Sequence, residues 1–111
     1  MRKTENKKLS QIVGELTAFF LNHGIDTFEI EVNQKNDQEK ITIKTKMIKK
    51  EDLDFFLEKM SRKRETEIET YGWSLMGDTE LEITGLLIDE VFHEEKNGNL
   101  IVTLNRVRKQ P

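Results

Sequence analysis

Leu9, Ile12, Val13, Leu16, Phe19 and Phe20 recur at three- and four-residue intervals. That spacing lays them along one stripe of a helix and along no face of a strand. His23-Gly24 follows, and glycine readily takes the left-handed conformation that closes many helices. The period then changes. Phe28-Glu29-Ile30-Glu31-Val32 and Ile41-Thr42-Ile43-Lys44-Thr45 alternate apolar with polar, and Asn36-Asp37 lies midway between them. A turn centred on that pair predicts an antiparallel hairpin with Val32 opposite Ile41, Ile30 opposite Ile43 and Glu29 opposite Lys44. The apolar side chains then share one face, against the first helix. The charged ones share the other, where an opposed Glu–Lys pair contributes some tenths of a kcal/mol.

Leu53, Phe56, Leu57 and Met60 predict a second helix, with Glu51, Asp52 and Asp54 near its positive end and Phe55 widening the stripe. Ser61-Arg62-Lys63-Arg64-Glu65 interrupts the pattern. Thr66-Glu67-Ile68-Glu69 is then a capping box, and it predicts a short third helix running to Met76 and stopped by Gly77. Ile68, Tyr71, Gly72 and Leu75 would share one face of it. Beyond Gly77-Asp78, Leu81 and Ile83 alternate with Glu80 and Glu82, which predicts a strand. Leu86-Leu87-Ile88 fits a buried strand or a helical turn equally well. Finally, Val91 to Glu95 and Leu100 to Val107 flank Lys96-Asn97-Gly98-Asn99, and Asn-Gly is the strongest short-range hairpin signal. A turn on that pair sets Val91 opposite Leu104 and Asp89 opposite Arg106.

The expected fold is therefore α+β in the order αββ-α(α)-ββ(β): an antiparallel sheet of four to five strands with helices packed on one face. Two helix–hairpin halves in succession hint at an αββ duplication, although they do not match residue for residue. A length of 111 residues suits one domain, residues 1–111. Hydrophobic and charged residues each make up 35% of it, which implies a thin core covered by helices on one side only. The chain has no Cys, so thiol nucleophiles, disulfides and cysteine-ligated metal sites are excluded. The basic start is not followed by an unbroken apolar run, and the longest apolar stretches fall far short of a membrane span. A cytoplasmic protein is expected.

The net charge of −3 conceals strong segregation. Nine basic and four acidic residues between Lys40 and Arg64 give 9 − 4 = +5, while Glu65 to Glu95 holds ten acidic residues and no Lys or Arg, or −10. The tail from Lys96 carries four basic residues and no acidic ones, or +4. Blocks of this kind are commonly solvated faces, and they also suit a two-signed molecule that pairs with its own copies or with a charged partner.

The residues give little sign of catalysis. No nucleophile motif, phosphate-binding glycine loop or dinucleotide fingerprint is present. His23 lies at a helix end, where it can bond a free carbonyl, and His93 lies in the last hairpin beside Glu94 and Glu95. Adjacent strand residues point to opposite faces, so His93 and Glu94 do not converge on one ion, whereas His93 and Glu95 share a face. One His with scattered acids falls short of a site, so no catalytic residue, cofactor or metal is expected. The basic runs Lys44 to Lys50 and Arg62 to Arg64 would suit phosphates. A pI of about 5.5 and the lack of interleaved aromatics argue against nucleic acid.

Two stretches qualify instead as partner-binding surfaces. Tyr71, Trp73 and Met76 include the only Trp and Tyr, residue types that dominate interface energetics. Gly14, Ala18 and Leu21 form a small patch on the first helix, opposite its apolar stripe, of a kind that lets two helices approach closely. The order of elements, with Glu69-Thr70-Tyr71-Gly72-Trp73-Ser74-Leu75-Met76-Gly77 and then Gly85-Leu86-Leu87-Ile88-Asp89, resembles a group of short uncharacterised proteins of Gram-positive (Firmicute) bacteria. That resemblance implies no activity, cofactor or catalytic residue. The expected function is a non-catalytic binding or regulatory module that self-associates or takes a protein partner. The alternatives are a nucleic-acid-associated accessory protein using residues 40–64, or an enzyme or enzyme subunit working through carboxylates of the acidic stretch.

Overall fold

Helix α1 (Arg2–Asn22) turns its apolar stripe inward in the computed structural model, which describes residues 2–61 and 80–107 and, within α1, the side chains from residue 6 onward. Ile12, Leu16, Phe19 and Phe20 are fully buried. The helix closes at Gly24, whose φ of +82° glycine adopts without a steric penalty. Gly24 N–H donates to the Leu21 carbonyl at 3.2 Å and Ile25 N–H to that of Phe20 at 2.9 Å, the paired bonds of a Schellman end. Ile25 packs on the core behind it.

Strands β1 (Phe28–Lys35) and β2 (Gln38–Lys46) form the first hairpin, in the register the alternation predicts: Val32 opposite Ile41, Ile30 opposite Ile43, Glu29 opposite Lys44. Strands β3 (Glu90–Lys96) and β4 (Asn99–Val107) form the second, with Val91 opposite Leu104. Its turn residues Asn97 and Gly98 both have positive φ, 54° and 78°, as a two-residue turn matched to strand twist requires. The hairpins join through β2 and β4, antiparallel, giving the order β1-β2-β4-β3 with β1 and β3 at the edges. On one side of this sheet lie Ile41, Ile43, Leu100, Val102 and Leu104, all fully buried. Helix α2 (Lys50–Ser61) completes that core with Leu53, Phe56 and Met60, and the Phe19, Phe20 and Phe56 rings meet at centroid distances of 5.4 to 6.0 Å. The α+β fold, with its antiparallel sheet and helices on one face, is thus as the pattern predicts, with four strands among the described residues.

One element differs. The strand expected at Leu81 and Ile83 is instead a turn leading into a short helix, α3 (Glu82–Leu87). Leu81, Thr84, Gly85 and Ile88 are the buried residues, and their spacing of three, four and seven is helical. Leu81 enters with φ +62°, a conformation that costs a branched side chain roughly 1–2 kcal/mol. Complete burial of its isobutyl group returns a similar amount, about 2 kcal/mol. Glu15 of α1 supplies the missing cap: its carboxylate accepts from Ile83 N–H at 3.2 Å, Thr84 N–H at 2.6 Å and the Thr84 hydroxyl at 2.8 Å. A residue on a distant helix therefore decides this segment, and local alternation could not disclose it. The helix expected over residues 66–76, with Tyr71, Trp73 and Met76, lies outside the described residues.

Candidate partner-binding face

Strand alternation that sends one set of side chains into the core sends the other to the opposite side of the sheet. There β2 presents Lys40, Thr42, Lys44 and Lys46, and β4 presents Asn99, Ile101, Thr103 and Asn105. The edge strands add Glu29, Glu31, Asn33 and Lys35 from β1 and Glu90, Phe92, Glu94 and Lys96 from β3. The register aligns these in rows across the sheet: Phe92–Thr103–Thr42–Glu31, Glu94–Ile101–Lys44–Glu29 and Glu90–Asn105–Lys40–Asn33. Phe92 is 55% exposed, and Ile101, Thr42 and Thr103 are half-buried. The face thus has a lysine-bearing inner strand, a neutral inner strand and two acid-bearing edges. At one end of the sheet a concavity takes in Asn33, Lys40, Asn105 and Glu90 from this face together with Glu39 and Arg106 from the other.

The polar clusters on the helix side are internally matched. Arg106 and Glu39 are cross-strand partners on the core-facing side, with Nη1 to Oε1 at 2.8 Å and side-chain exposures of 3% and 0%. Gln34 donates to the other Glu39 oxygen at 2.8 Å. The β3–β4 ladder ends at Glu90 opposite Asn105, which sets Asp89 level with Arg106 as the turn predicts. The Arg106 guanidinium reaches Glu39, and Asp89 accepts from the Val107 backbone at 2.7 Å. His23 lies between two carboxylates, Nδ1 3.0 Å from Asp52 and Nε2 2.9 Å from Glu80, with its ring 4.3 Å from that of Phe19. A neutral ring would turn one lone pair toward a carboxylate, so the site selects the doubly donating imidazolium. The hydrogen bond with Glu80 chiefly, then the charges of Glu80 and Asp52, hold the His23 pKa above its usual 6.5, against burial, which lowers it. The carbonyl partner expected for His23 is therefore replaced by two acids from elsewhere in the chain. Because they flank opposite ring nitrogens, the three groups do not converge on one point. Lys59 pairs with Glu82 at 2.8 Å and lies 5.5 Å over the Phe55 ring.

Gly14, Ala18 and Leu21 are all exposed on α1, Leu21 at 55%, and a methyl group at Gly14 would meet nothing within 4 Å. Tyr71, Trp73 and Met76 fall outside the described residues. The basic run is divided between surfaces: Lys40, Lys44 and Lys46 lie on the outward sheet face, while Lys50 and Lys59 belong to α2 on the other side. His93 is exposed on β3, and among the described residues no group of three or more His, Asp or Glu is placed to hold a metal ion. No described helix is long and apolar enough to cross a membrane. Each hairpin's own pattern does not show Phe92, Ile101 and Lys44 as one surface. The signal was present in their parity, but only the β2–β4 pairing brings them together. No protein-family model matches the chain, and no curated protein shows significant similarity to it.

Proposed function

We propose that this chain is a small cytoplasmic binding or regulatory module without catalytic activity, which works by associating with copies of itself. The observation that carries this reading is the outward sheet face, where Phe92 stands 55% exposed beside half-buried Ile101, among the lysines of β2 and the glutamates of the edge strands. An exposed aromatic next to a half-buried aliphatic side chain, with charged residues around the two, is the apolar patch and polar rim that mark an interface. The closed polar clusters support the same reading, since both His23 ring nitrogens and both Glu39 oxygens are engaged within the chain. Sedimentation velocity across a micromolar concentration series tests it. A mass that rises from one chain to two with concentration is expected, and a single-chain mass throughout would refute self-association.

A further inference from the structure

We infer that two copies stack outward face on outward face about a twofold axis running along β4, so that β2 of each lies over β3 of the other. This rests on the self-association reading and names its surface. A half-turn about an axis parallel to the strands keeps every cross-strand row at its own level. The register therefore fixes what meets what. Lys44 comes over Glu94 of the second copy, Lys40 over its Glu90 and Thr42 over its Phe92, while Ile101 meets Ile101. The contacts between unlike residues each occur twice, and the Ile101 pair lies once, on the axis. Sheets stacked face to face lie about 10 Å apart, a gap that facing Lys and Glu side chains span.

Two neighbouring axes parallel to the strands are poorer. An axis along β2 sets Lys40 and Lys44 against their own copies. An axis midway between β2 and β4 sets Glu29 over Glu94 and Asn33 over Glu90, and leaves Phe92 facing Glu31. Edge-to-edge pairing through β1 or β3 would extend the sheet and leave Phe92 and Ile101 on the outward face uncovered. The β4 axis leaves one unfavourable corner, Lys46 over Lys96. Three strands make a small face by the standard of stable interfaces, about 800 Å² per partner, and its Lys–Glu contacts make the dimer weaken with salt.

Charge reversal with sedimentation velocity and a circular-dichroism check of folding tests this. Lys44→Glu and Glu94→Lys are each expected to weaken dimerisation at least tenfold, and the two together to restore it. Both side chains are exposed, so the fold is expected to survive, and Phe92→Ser provides a third variant without a charge change. Ala18→Glu on α1 is expected to have no effect. If the wild-type chain dimerises and the reversals change nothing, or the double variant fails to recover, this face is refuted and self-association stands. If the wild type is monomeric throughout, both fail. Tight binding of a single-stranded oligonucleotide that Lys44→Glu and Phe92→Ser abolish would also overturn the proposal, by assigning the lysine column to nucleic acid.

Discussion

Replacing Arg106 with Met strands a carboxylate. The Glu39 side chain is fully buried, and of the two groups that meet its oxygens, Arg106 at 2.8 Å and Gln34 at 2.8 Å, only the uncharged one remains. At an effective dielectric constant of about 20, charges about 4 Å apart attract by roughly 4 kcal/mol. Each ion gave up several kcal/mol of hydration to reach that position, so the intact pair adds little net stability. Arg106→Met removes the attraction and leaves the desolvation, an expected loss of about 3–5 kcal/mol. That is a large part of the roughly 5–15 kcal/mol typical of a domain this size. Glu39→Leu together with Arg106→Met removes both charges and fills similar volumes, so the double variant should lie within about 1–2 kcal/mol of wild type. Urea unfolding followed by circular dichroism reads the difference. At a slope of about 1.5 kcal/mol per molar, a 3 kcal/mol loss moves the midpoint by about 2 M. A loss below about 1 kcal/mol for Arg106→Met, or a double variant as unstable as the sum of the singles, would refute the reasoning.

The remaining predictions concern the helix side. Since the folded His23 pKa is raised above 6.5, its two ion pairs contribute stability that is complete below pH 6.5 and is lost as pH rises through the folded value. Side chains 20–29% exposed limit the effect to less than about 1 kcal/mol; an NMR titration placing His23 below 6.5 would contradict it, and His23→Gln should flatten this part of the stability profile. Glu15→Ala should cost about 1–2 kcal/mol and expose the Ile83 and Thr84 amides to hydrogen exchange, and unchanged protection there would show that Glu15 does not cap α3. The Thr45 hydroxyl is buried with no partner among the described residues, so Thr45→Val, which keeps the shape, should raise stability by roughly 1 kcal/mol in thermal unfolding. A lower melting temperature would mean that the hydroxyl is satisfied.

Local pattern by itself determined the two hairpins, their registers and the inward stripes of α1 and α2, because period and turn chemistry act over a few residues. Asn36-Asp37 and Asn97-Gly98 each fix a pairing within their own hairpin. The exposed run of Gly14, Ala18 and Leu21 was legible for the same reason. Three features came only from tertiary structure. Residues 82–87 are helical because Glu15, sixty-eight residues before Ile83, caps them while Leu81 enters the core. Glu39 and Arg106 meet, and Lys44 joins Ile101 and Glu94 on one face, because β2 pairs with β4, a contact that no short-range signal encodes. His23 gains Asp52 and Glu80 because α2 and the chain before α3 dock at the same helix end. Such long-range pairings follow from filling one core with the least unsatisfied charge, a condition on the whole chain and not on any stretch of it.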